Sequence, residues 1–482
     1  MIFQSIDYLV FFLSVFTLYW GLPRKGQHGL LLIAGYVFYG YVHPWYGILL
    51  GATTLVDFTF TRLMEDKPER KRLWLLCVLL SNFAILAAFK YFGFFTDNIL
   101  ALLHLLGWDA PRPMFEMLLP AGVSFYTFQS CAYAVDVYRG QTWARRSLLD
   151  YAVYVSFFPQ LVAGPIERAD HLLSQFERPR RFDFGVARDA LFLILWGLAK
   201  KRVIADTAAV YTNKAFSISD GTFPIIWAGV LCFCVQIYAD FSAYTDIARG
   251  SARLLGFDLR QNFNHPWLAQ SPADFWRRWH MSLSRFLRDY LYIPLGGSRC
   301  HPVRRYANLM ITMLLGGLWH GAAWTYVIWG CLHGIYLIIN HIWNRARPSF
   351  SVPIVGHAAS VLLTFSCVVI AWVFFRASSL EAALLILKGM AGLQSPAGAS
   401  PMLISKLQLL ALILLVGLCW FAPNAYQMLG KFSPALQETH PAEAPPSWRP
   451  SLAWALFLGT LAALSFAQML SGAPSEFIYF QF

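Results

Sequence analysis

The chain alternates between long apolar stretches and short polar ones. Apolar runs fall at residues 6 to 22, 29 to 41, 44 to 61, 73 to 95, 117 to 137, 147 to 166, 186 to 206, 222 to 248, 306 to 343, 357 to 376, 402 to 421 and 451 to 471. Several reach the ~20 residues that a helix needs to cross a hydrocarbon core. The pattern therefore predicts an all-α, polytopic membrane protein, organised as one integral-membrane domain over residues 1–482. The first run, IDYLVFFLSVFTLYWGL, has no basic region before it and no A-x-A-like site after it, so it reads as a retained helix rather than a cleaved signal.

Two interruptions stand out. FFPQLVAGPI carries Pro159, Gly164 and Pro165 inside an apolar run, which predicts a broken or re-entrant element instead of a clean span. Irregular backbone at membrane depth survives only when buried in protein or lining a wet cavity. The longest interruption, residues 257–305, reads as a partly buried interfacial or re-entrant segment. Within it Ser271-Pro272-Ala273-Asp274 has the signature of a helix start, and the helix is expected to run through about Tyr290, carrying His280.

Composition agrees with the pattern: 57% of the 482 residues are hydrophobic and 13% are charged, against roughly 25% charged in a soluble domain. The net charge of +12 comes from short basic runs between apolar segments, such as RKGQH, KPERKR and AKKRV. That distribution is a topology signal, not a nucleic-acid footprint. With KPERKR on the cytoplasmic side, the preceding spans put the N-terminus outside. Cys232 and Cys234 are two apart, ~200° around a helix, and no cysteine spacing suits a disulfide or a metal site.

No G-x-S-x-G, H-E-x-x-H, P-loop or G-x-G-x-x-G motif is present. The remaining candidates are histidines in apolar surroundings, foremost His320 in LLGGLWHGAAWTYVIWG. An ionisable group there is costly and functional by default, and Gly316, Gly317 and Gly321 permit close approach of a substrate or another helix. The bland alternative is a histidine bonded to a neighbouring helix. His333, 13 residues on, would lie ~220° away on an unbroken helix and reads as a packed core residue. An imidazole can take a proton from an attacking hydroxyl and return it to a leaving group. His280, from a separate element, could hold the second polar position.

FWRRWHMSLSRFLRDYLYIPLGG and GGLWHGAAWTYVIWGCLHG, together with LLPAGVSFYTFQSCAYAVDVYRG, SFFPQLVAGPIER and VQIYADFSAYTDIARGSARLLGFDLRQNFNHPW, resemble the membrane-bound O-acyltransferases over most of the chain. The resemblance is to their bacterial branch, which acetylates alginate and peptidoglycan and serves teichoic acid D-alanylation. It implies a ring of about 11–13 transmembrane and re-entrant helices around a funnel, in a thinned membrane. It implies His320 as the catalytic histidine and His280 as the second active-site position. It further implies acetyl-CoA as a donor substrate with no permanently bound cofactor, and residence in the bacterial inner membrane among membrane lipid. The expected partners are an extracytoplasmic SGNH-type acetyltransferase or polysaccharide export machinery.

The aromatic tail SEFIYFQF, residues 475–482, is expected on the outer face with the C-terminus. By similarity to an aromatic motif with a terminal tyrosine in the teichoic acid branch, Tyr479 is a candidate acyl shuttle, although three residues follow it. An interfacial anchor is the alternative for the tail. For the whole chain the alternative is a transporter or flippase without covalent chemistry, with Arg277 and Arg278 meeting an anionic substrate.

Overall fold

The computed structural model describes residues 1–113, 120–217, 223–346, 354–393, 406–429, 451–472 and 477–478. The described residues form helices joined by turns, with no strand among them. Six helices are long and apolar enough to cross a membrane: Trp45–Asp66, Pro68–Leu105, Phe223–Leu254, Trp324–Ala346, Gly356–Arg376 and Leu452–Leu470. Ile6–Trp20 and Gln408–Phe421 are shorter apolar helices. Side chains such as Ile48, Leu80, Leu363 and Ile413 are exposed on these helices, as a lipid-facing surface requires, because lipid tails are as apolar as the side chains they meet.

The chain groups into two compact units. The first comprises Met1–Phe184, Ser251–Leu259 and Gly321–Ala323. Its opening helix is capped by Ser5, whose hydroxyl accepts the Tyr8 N–H. The helices Trp45–Asp66 and Lys71–Leu86 are tied by the fully buried Asp57, which accepts from Asn82 Nδ2 at 2.7 Å. The run 147–166 is broken, as its prolines predict: Leu148–Ser156 ends, Phe158–Leu161 makes one further turn, and 157–166 is buried throughout.

The second unit comprises Gly185–Gly250, Arg260–His320 and Trp324–Phe482. Its most enclosed element is Phe223–Leu254, where every residue from Cys232 to Gly250 is buried except the half-buried Tyr238. A helix buried on all faces should be apolar all round, yet this one carries Gln236, Asp240, Ser242, Thr245, Asp246 and Arg249. AKKRV, expected as a basic run between apolar segments that marks topology, lies inside a continuous helical stretch. Lys200–Ala205 is a π-turn between the helices Phe184–Ala199 and Asp206–Phe216. Lys201 and Arg202 are buried there and face carboxylates, which removes AKKRV as a marker of membrane sidedness.

The run 306 to 343 is two helices, Pro302–His320 and Trp324–Ala346, broken at residues 321–323. They pack on each other through glycines. A methyl group on Gly317 would meet the Tyr326 carbonyl, and one on Gly330 the Met313 carbonyl, so both positions need hydrogen as the side chain.

Candidate active site

His320 is the last residue of Pro302–His320. It is 5% exposed, and its ring is packed at 5.0 Å against Trp329 and 5.3 Å against Phe375, both nearly edge-on. Of the glycines expected to permit close approach, Gly317 does so for the other helix and Gly316 faces Leu287, while the His320 ring itself is walled by aromatic rings. Because the helix turns back after residue 320, Trp329 and His333 return past the same place. The Trp329 ring is 4.8 Å from that of His333, which is 1% exposed and stacked on Phe275 at 5.9 Å. An unbroken helix would have kept His333 away. The break brings it within one ring of His320, in the packed environment expected for it.

His280 does not sit mid-helix. The helix begins where the sequence predicts, with Ser271 Oγ accepting the Asp274 N–H, but it stops at Arg278 and a second helix runs Met281–Leu287. His280 is the hinge between them, in the left-handed conformation at φ 42° and ψ 55°. His265 is the other non-glycine residue with positive φ among those described. Such a backbone costs roughly 1–2 kcal/mol for an L-residue, so neighbours must hold it. Asn262 does so: its backbone carbonyl accepts the Met281 N–H at 3.0 Å, and its Oδ1 accepts the Ser282 N–H at 3.0 Å and the Ser282 hydroxyl at 2.9 Å. The Asn264 N–H adds a bond to the Arg278 carbonyl at 2.9 Å.

This clamp turns His280 inward, fully buried, with its ring centroid 6.3 Å from that of His320. Burial lowers its pKa to about 3, so the ring is the neutral imidazole. Phe241, from the buried Phe223–Leu254 helix, packs edge-on against His280 at 4.7 Å. The structure therefore brings together two histidines from segments forty residues apart. It adds Asn262, Phe241, Trp329 and Phe375, which sequence reasoning missed because ring-lined walls have no local signature. No group of three or more His, Cys, Asp or Glu side chains able to hold a metal occurs among the described residues.

Tyr479 lies outside the described residues, but Phe477 and Ile478 before it are each 1% exposed. Phe477 stacks on Tyr244 at 4.4 Å and meets Phe241 at 6.4 Å. One ring, Phe241, thus touches both the tail and His280.

The arrangement holds two buried imidazoles with ring centroids 6.3 Å apart among aromatic rings, where one small polar reactant could meet both. Comparison with known proteins agrees with that chemistry. Residues 144–379 match the model of the membrane-bound O-acyltransferase family. The chain is 40% identical over 387 residues to the "Probable alginate O-acetylase AlgI" of Pseudomonas aeruginosa, covering 80% of this chain and 73% of that protein. It is 37% identical over 392 residues to a peptidoglycan O-acetyltransferase of Helicobacter pylori, covering 75% and 73%. It is 28% identical over 244 residues to a teichoic acid D-alanyltransferase of Streptococcus thermophilus, covering 48% and 59%. Its helices and these relatives agree that the chain belongs to the membrane-bound O-acyltransferase family and is an acyltransferase.

Proposed function

We propose that the enzyme takes an acetyl group from a cytoplasmic thioester, acetyl-CoA, and passes it to an extracytoplasmic acceptor for O-acetylation of a cell-surface or secreted polysaccharide. His320 acts as the general base. The observation that carries this reading is the juxtaposition of the buried His320 and His280 among aromatic rings. The names of the relatives that act on alginate and peptidoglycan support acetyl as the group and a glycan as its destination.

In the proposed reaction, His320 takes the proton of a hydroxyl as its oxygen attacks the thioester carbonyl. The C–S bond then breaks, and the proton returns to the leaving thiolate. Position at the carbonyl end of a helix favours positive charge on the ring while it holds the proton. His280, neutral and fixed by the Asn262 clamp, hydrogen-bonds the carbonyl or the hydroxyl. Tyr479 is the proposed first acceptor, and the buried Phe477–Ile478 anchor supports its use there. A phenol with a pKa near 10 needs a base in contact, which fits the pairing with His320. An extracytoplasmic acetyltransferase would then move the acetyl group from the tyrosyl ester to the glycan, with the protein held in the inner membrane.

Purified enzyme incubated with acetyl-labelled CoA tests this. Label on the C-terminal peptide and release of free CoA are expected, with both lost in His320→Ala and the peptide label lost in Tyr479→Phe. A transporter without covalent chemistry would neither acquire label nor release CoA. Wild-type labelling of the tail in Tyr479→Phe would sink the shuttle.

A further inference from the structure

We propose that Asp240 is the latch that seats the C-terminal tail beside the histidine pair, making it a positioning residue for the acyl acceptor. Asp240 is fully buried in the most enclosed helix of the second unit. Its Oδ2 accepts the Ile478 N–H at 2.8 Å, and its Oδ1 faces Lys201 Nζ at 2.9 Å. Lys201 also meets Asp206 at 2.8 Å, and Asp206 meets Arg202 at 2.9 Å. The four side chains carry two formal charges of each sign, so a carboxylate that would be costly to bury alone has a cationic partner where it accepts from the tail. A carboxylate accepting a backbone N–H makes a charge-assisted bond, roughly twice as strong as a neutral one.

The latch also sets a distance. Asp240, Phe241 and Tyr244 lie within about one turn of the same helix. Asp240 fixes the Ile478 backbone, Tyr244 stacks on Phe477, and Phe241 packs on His280. One turn therefore registers the backbone immediately before Tyr479 against the Phe241 ring that packs on His280. Asp240 touches no reacting atom in this scheme and acts through the tail. The purpose of the latch rests on the proposed role of Tyr479, whereas its existence does not.

The test compares two double variants that remove the same pair of charges. Asp240→Asn with Lys201→Gln keeps an oxygen to accept from Ile478, whereas Asp240→Ala with Lys201→Met does not. Hydrogen exchange read by mass spectrometry on the C-terminal peptide of the full-length, detergent-solubilised enzyme should show a slow amide. That amide should survive in the first variant and exchange at least about tenfold faster in the second. Acetyl transfer should follow, with kcat falling and the KM for acetyl-CoA unchanged in the second variant and kcat largely restored in the first. A tail amide that exchanges equally in both variants, or that is unprotected in the native enzyme, would overturn the latch. Protection as expected, together with a fully active Tyr479→Phe, would uphold the latch and remove the tyrosine from the reaction.

Discussion

Two buried polar groups in the second unit are built on opposite principles. Around His320 and His280 the neighbours are rings, and the histidines are brought together by a helix break and a strained hinge. Around Lys201, Arg202, Asp206 and Asp240 the neighbours are charges, matched two against two inside regular or π-helical backbone. The first arrangement holds the His280 ring neutral among aromatic neighbours, as the proposed proton transfer requires. The second is fully matched, as a group that only holds its place requires. In the proposed scheme reactivity and anchoring are separated within one unit, with Phe241 touching both His280 and the anchored tail.

The comparison can be broken at several points. The largest effect is expected in His320→Ala, where loss of a general base should reduce acetyl transfer by about 10²–10⁴. Its thermal midpoint in detergent should stay close to wild type, and a collapse of folding would mean that the histidine is a structural post. Lys201→Met should do the reverse. Breaking a buried ion pair from one side costs about 3–5 kcal/mol, so loss of stability should lead and loss of rate should follow from it; thermal unfolding monitored beside activity separates the two. Gly317→Ala adds a methyl against the Tyr326 carbonyl. Overpacking of about 1–3 kcal/mol is expected, together with a lower kcat as the helix bearing His320 is pushed from its partner. The smallest effect concerns the hinge. Asn tolerates left-handed backbone better than Ala, so His280→Asn should be more stable than His280→Ala by about 1 kcal/mol, and equal melting would deny that the hinge is strained.

Much of this was legible in the sequence where the signal is local. Ser271 caps the helix it was expected to start, and the prolines of FFPQLVAGPI break the run they were expected to break. Both depend on residues within a turn of one another. AKKRV misled because a basic run between apolar stretches looks the same whether water or carboxylates neutralise it. Its partner Asp240 lies about forty residues away, inside the run 222 to 248. The expected helix through Tyr290 failed at His280 because the hinge is held by Asn262, a tertiary clamp with no helix-breaking residue to announce it. The short helix Leu380–Met390 escaped attention altogether.

Run lengths, residue types and short motifs suffice to mark an all-helical membrane protein, the histidines in apolar surroundings, and the family that their flanking segments resemble. Those properties follow from hydrophobic length, residue type and short motifs, all of which are additive along the chain. Packing between distant segments is what makes His280 and His320 neighbours, returns His333 beside them, and sets a buried aspartate on the tail's backbone. Each of these is a contact between segments distant in sequence, set by helix packing and by the need of buried charges and backbone groups to find partners.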